Sequence, residues 1–165
     1  MLENLKLLTQ YKSWANEITF LSVKSLPQGE AIKERKTRFK NIVHTLNHVY
    51  VIDSIFKAHL EGKSHNYNER NTQDHPPLEE LWQMQRAIDE WYINYASNIS
   101  ETAAREMINF NFVDGEKGAM SRAEMILHVV NHGTYHRGFV SDMMYQIPVI
   151  PPSNDLSVFL KDRNK

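Results

Sequence analysis

Four separate stretches of this chain carry apolar residues at intervals of three and four, and each is bounded by residues that stop a helix. The first runs Leu2, Leu5, Leu8, Tyr11, Ala15, Ile18 and Leu21, with Pro27 and Gly29 closing it. The second runs from Phe39 through Ile42, Val43, Leu46, Val49, Ile52, Ile55 and Phe56 to about Leu60, with Gly62 as its stop. The third enters at Pro77 and is carried by Leu78, Leu81, Trp82, Ile88, Trp91, Tyr92 and Tyr95, ending before Ser100. The fourth opens at Ser121 and ends by Pro148. Such spacing lays an apolar stripe along one side of an α-helix. A stripe of that width must be buried against another element, so the expected fold is all-α, a four-helix bundle.

The connections refine this. Gly62 to Pro77 is polar and far longer than a turn between antiparallel neighbours needs, so a long crossover is expected between the second and third helices. Met107, Asn109 and Asn111 alternate with Ile108, Phe110 and Phe112, and Asp114-Gly115 follows; this predicts a short hairpin or extended insertion before the fourth helix. The tail holds Val149, Ile150, Leu156, Phe159 and Leu160 and is expected to pack back on the bundle. At 165 residues the simplest organisation is one domain over residues 1–165.

Chemistry concentrates in the fourth helix. Ser121 and Glu124 form the S-x-x-E capping box that opens it. His128, His132 and His136 follow at steps of four, each step advancing about 6 Å and turning only about 40°, so neighbouring rings can grip one ion. Gly133 and Gly138 offer places for another group to come close. His44 and His48 lie on the second helix, and buried imidazoles among its valines and leucines need partners. Two rings from the fourth helix and one from the second would give three facial nitrogens with at least one position left for a ligand. His65 and His75 read as solvated loop residues, and Trp14 as packing or as a pocket wall. Neither H-E-x-x-H nor E-x-x-H occurs in the third or fourth helix, which argues against a zinc peptidase and a carboxylate-bridged di-iron bundle. Imidazole softness favours zinc, nickel or ferrous iron over magnesium or calcium.

Three patches match a known pattern: Tyr11-Lys-Ser-Trp14-Ala15-Asn16, Leu46-Asn47-His48, and His132-Gly-Thr-Tyr-His136-Arg137-Gly138, with Pro151-Pro152 and Asp155 trailing. In these the chain resembles the DinB superfamily of bacterial four-helix proteins, which includes YfiT-like proteins and low-molecular-weight thiol-dependent transferases. The resemblance implies a homodimer and a divalent transition metal, zinc or nickel with ferrous iron also compatible. Carried over by position, the metal ligands are His48, His132 and His136. His44 and His128 then take core or supporting places. Arg137 is expected to pair with an acidic group at the rim or with a substrate anion.

The resemblance implies a metal-dependent thiol S-transferase that activates a small external thiol. The chain has no cysteine, so any sulfur nucleophile must come from outside. The rival readings are a hydrolase using metal-activated water and a non-enzymatic, metal-stabilised dimeric stress or regulatory protein. No catalytic residue is assigned; Asp53 and Glu124 are the candidates for a general base. Nineteen basic against twenty acidic residues give a formal charge of -1, with no broad attraction to nucleic acid or to an anionic membrane. With no apolar run of membrane-spanning length, a cytoplasmic protein is expected.

Overall fold

The structure, a computed structural model, describes residues 1–163. In chain order the elements are α1 (Leu2–Lys24), α2 (Ile42–Glu61), α3 (Leu78–Asn98), the single turn α4 (Glu101–Ala104), β1 (Met107–Asn111), β2 (Lys117–Ser121), α5 (Arg122–Tyr145) and α6 (Leu156–Arg163). The expected fourth helix is therefore α5. The expected hairpin is present, β1 pairing antiparallel with β2 in the register Met107↔Ser121 and Phe110↔Gly118.

Helices α1 and α2 each pack on both α3 and α5, so α1 and α2 occupy opposite corners of the bundle. One apolar cluster, around Ile55, Phe56, Tyr92, Phe110 and Ile126, fills the hairpin end. A second, around Phe20, Leu46, Trp82, Val140 and Met144, fills the other. The tail does pack back, as a helix: Phe159 of α6 lies against Tyr11 and Trp14 of α1. No helix among the described residues is long and apolar enough to cross a membrane.

Helix boundaries follow local chemistry. Gly62 closes α2 in the left-handed conformation at φ 66, its N–H returning to the carbonyls of the last turn. Ser121 and Glu124 form the full capping box at the start of α5. The start of α2 departs from the periodicity. Phe39 continues the apolar spacing, yet the helix begins only at Ile42, because Asn41 caps it by accepting the His44 N–H at 2.7 Å. Lys40 takes φ 65, which no helix interior allows. Phe39 is thereby released from the helix and folds back over α2.

Candidate metal centre

His48 projects from the second turn of α2, and His132 and His136 from successive turns of α5. Since these helices pack directly on each other, the three rings meet between them. Ring centroids are 4.9 Å apart for His48 and His132, 4.6 Å for His48 and His136, and 4.4 Å for His132 and His136. One ring nitrogen from each lies within 4.8 Å of the others.

The tautomer of His48 is set from behind. Its Nδ1–H donates to the Arg70 carbonyl at 2.5 Å, which leaves Nε2 as a lone pair facing inward. Arg70 belongs to the long crossover. That segment is latched to α2 by Asn47, whose Nδ2 donates to Asn71 Oδ1 and Thr72 Oγ1, and by Asn71, which donates to the His44 carbonyl. The crossover thus works as the outer support of one ring.

The inward nitrogens suit a divalent ion. His48 Nε2 and His132 Nε2 are 3.1 Å apart. Two imidazoles on a tetrahedral zinc are separated by about 3.3 Å, given zinc–nitrogen bonds of about 2.0–2.1 Å. Nδ1 of His132 and of His136 is enclosed without a hydrogen-bond partner among the described residues, as are His59 Nε2 and His65 Nδ1, so it is the convergence of the three rings that marks the site. All three rings resist protonation. Burial pushes His132 down to about 2, aided by the fields of His136 and His48. Burial takes His136 to about 4, with His48 and Arg38 contributing, and lowers His48 as well. Neutral rings are the form that ligates metal.

Phe39 is the wall that the periodicity hid. Its ring stacks on His48 at 4.3 Å and lies 5.7 Å from His136. Tyr135 and Phe139 flank His136 at 5.0 and 5.7 Å. Trp14 has no part in this wall, being packed on Phe159, and Tyr50 lines a separate groove with Trp91. His128 rests on Phe56 at 4.4 Å, its ring 5.7 Å from that of His132, and burial depresses its pKa. His44 sits between Phe39 and His75.

A family model described as the DinB family matches residues 1–163. The chain belongs to the DinB family. It is 28% identical over 163 residues to Protein DinB of Bacillus subtilis (strain 168), covering 93% of this chain and 91% of that protein. A crystal structure of a DinB-like protein from Bacillus cereus ATCC 10987 superposes with a TM-score of 0.66 at 14% identity, covering 88% of this chain and 94% of the other; it is similar in fold.

Within this DinB-family chain the α1 motif has a role that its sequence did not disclose. Lys12 is wholly buried, its Nζ donating to Asp53 Oδ2 at 2.6 Å and to Asp89. Asn16 bridges Asp89 and Arg137, donating to one and accepting from the other at 2.9 Å each. Tyr11 donates its hydroxyl to the Asn154 carbonyl, fastening the tail. Gln85 donates to both Asp53 and Asp89. This cluster ties α1, α2, α3 and α5 together beside the imidazoles. A Cβ on Gly133 would lie 3.1 Å from Arg137 Nη1 and 3.9 Å from Lys12 Cε, so the glycine next to His132 makes room for the cluster. Gly138 meets nothing within 4 Å and has no such use.

Several expectations are corrected by this arrangement. Arg137 is 1% exposed, so it faces neither rim nor substrate; its guanidinium bonds Asn16 and Thr134. Asp53 is committed to Lys12 and Gln85, and burial raises its carboxyl pKa against the pull of Lys12. Glu124 accepts from the Ser121 N–H at 2.7 Å, a contact that lowers its pKa. Neither carboxylate is free to act as the general base. His65 is half-buried against His59 with ring centroids 5.3 Å apart, and the half-buried His75 has its Nδ1 2.9 Å from the Pro76 carbonyl oxygen. Both have protein neighbours instead of full solvation. Lys12 and Asn16, one turn apart on the apolar side of α1, were the available signal for the cluster.

Proposed function

We propose that His48, His132 and His136 bind one divalent transition metal, zinc or nickel, and that the chain is a thiol-dependent transferase. The observation that carries this reading is the convergence of three neutral imidazoles with no carboxylate among them. A dication held there keeps its charge and supplies Lewis acidity, which acidifies a thiol in contact with it. The protein's residues do the rest. The Arg70 carbonyl fixes the ring of His48, the α5 backbone spaces the other two rings, and Phe39 screens one side of the set from water. The chain has no cysteine of its own, so the nucleophilic sulfur is external.

Hydrolysis is the weaker alternative, since both carboxylates suggested as a base for water are engaged elsewhere. A homodimer through α5 is part of the same reading, supported by the exposed Leu127, Tyr135, Phe139 and Tyr145 on that helix. The test is a conjugation screen of several cellular thiols against electrophiles, with metal-loaded and metal-stripped protein side by side. Metal-dependent consumption of thiol supports the transferase. Metal-dependent hydrolysis with every thiol inert overturns it.

A further inference from the structure

Three side-chain cations surround the imidazoles, and their partners differ. The fields of Arg38 and Arg70 reach His48, and that of Lys12 reaches His132. Lys12 is consumed by Asp53 and Asp89. Arg70 places Nη2 2.7 Å from Asp114 Oδ2. Arg38 is exposed and has neither an ion pair nor a hydrogen bond for its guanidinium among the described residues; the guanidinium lies over the ring of Phe39, Cζ 5.8 Å from the centroid. That ring is the one stacked on His48 and next to His136. The guanidinium therefore lies over the aromatic ring that in turn stacks on His48.

The loop holding it is closed by its own backbone. Arg35 N–H donates to the Lys40 carbonyl at 2.6 Å, and Asn41 N–H to the Phe39 carbonyl at 2.7 Å. Lys40 is the described non-glycine residue with positive φ, a conformation that surrounding contacts must hold in place. The neighbouring Arg35 is tied to Glu30, so of the two arginines one fastens the loop and the other is left available.

Charge balance gives that availability a meaning. Three neutral rings and a dication leave two positive charges without compensation, and Arg38 adds another beside them. A planar guanidinium matches a carboxylate or phosphate with two parallel N–H donors. We infer that Arg38 receives an oxyanion group of the ligand that reaches the three imidazoles, so that the thiol taken by this protein is an acidic one. The inference rests on the metal-centre reading and narrows it to a substrate class. It also moves to Arg38 the anion-binding role that the sequence pattern suggested for Arg137.

The experiment uses the full chain, stripped by chelator and reloaded with cobalt(II), whose visible and charge-transfer bands report a thiolate joining the metal. Two probes of nearly the same size and shape differ in charge: 3-mercaptopropionate and 3-mercaptopropionamide. The wild type is expected to bind the carboxylate form about tenfold more tightly, the scale of one charge-assisted contact. Arg38→Gln is expected to bind cobalt at the wild-type stoichiometry and lose that preference, while Lys117→Gln on the distant hairpin keeps it. Equal affinities in the wild type, a preference surviving in Arg38→Gln, or loss of cobalt by that variant would each overturn the assignment. Failure of the carboxylate probe to bind would do so too. A wild type that takes up no cobalt would instead defeat the metal-centre reading beneath it.

Discussion

Two polar groups sit side by side in the middle of this bundle, and they are finished to different degrees. Around Lys12, Asp53, Asp89, Asn16, Gln85 and Arg137, charge is balanced two against two and the carboxylates are held by several donors, although Asp53 Oδ1, Gln85 Oε1 and Arg137 Nε have no hydrogen-bond partner among the described residues. Burial alone would push the Lys12 ammonium down, but the two carboxylates reverse this and hold it above its ordinary range. Around His48, His132 and His136 the charge is one-sided: neighbouring fields are cationic and no carboxylate lies among the rings. A closed polar group is explained by the protein itself, whereas an open one needs something from outside. The contrast supports placing the proposed metal at the imidazoles.

The largest effect expected from breaking this contrast is on the closed side. Lys12→Met leaves Asp53 and Asp89 buried without their cation, a loss of about 3–5 kcal/mol for removing one partner of a buried pair. Urea unfolding of chelator-treated protein measures it. The loss should be the same with metal present or absent, provided the variant still folds. The triple variant Lys12→Met, Asp53→Asn, Asp89→Asn should recover part of it, because no charge is then stranded. A midpoint unchanged by Lys12→Met would mean that the cluster does not carry the stability its burial implies.

On the open side the expected loss is in metal, with stability affected less. Protein purified without nickel resin should carry close to one transition metal per chain by elemental analysis. His132→Ala should lower metal affinity at least tenfold, since it removes one of three nitrogens. His65→Ala, on a ring that belongs to the His59 pair, should leave it unchanged. An unaltered metal content in His132→Ala would dissolve the distinction between the two groups.

How much of this was legible follows from what periodicity can carry. Long apolar stripes marked all four main helices, and Gly62, Ser121 and Glu124 marked ends that the structure reproduces. Phe39 defeated the same reasoning. It fits the spacing of α2, but the Asn41 cap and the turn at Lys40 take it out of the helix, and its use depends on a loop conformation that spacing does not encode. Arg137 failed differently. A charged residue next to a predicted ligand suggests a rim, and nothing in the chain order announces that Tyr11, Asn16 and Thr134 will bury it. The meeting of His48 with His132 and His136 is a contact across 84 residues; the spacing raised a set of two rings from the fourth helix and one from the second, and resemblance to the family chose these three histidines.

The smallest expected effect is a slope against pH, and it separates the two groups most sharply. In the unfolded chain histidine takes up a proton near pH 6.5. In the folded, metal-free chain His136 refuses one until about pH 4, His132 until about pH 2, and His48 is also depressed. Between those values the unfolded state binds more protons, so stability is fully present above about pH 6.5 and falls as the pH is lowered through that range. The slope is at most about 1.4 kcal/mol per pH unit for each ring that refuses its proton, and solvent screening of the half-open rings reduces it. Urea midpoints of chelated protein at pH 8, 7, 6 and 5 should trace this decline. His132→Gln removes the most depressed ring and should make the decline shallower. The triple variant Lys12→Met, Asp53→Asn, Asp89→Asn, which leaves neither the ammonium nor the two carboxylates in the closed group, should shift the whole curve while nearly keeping its steepness across this window. If the triple variant flattened the curve and the histidine variant did not, protonation would be reporting the ion cluster, and the imidazoles would lose their claim to be the unfinished half.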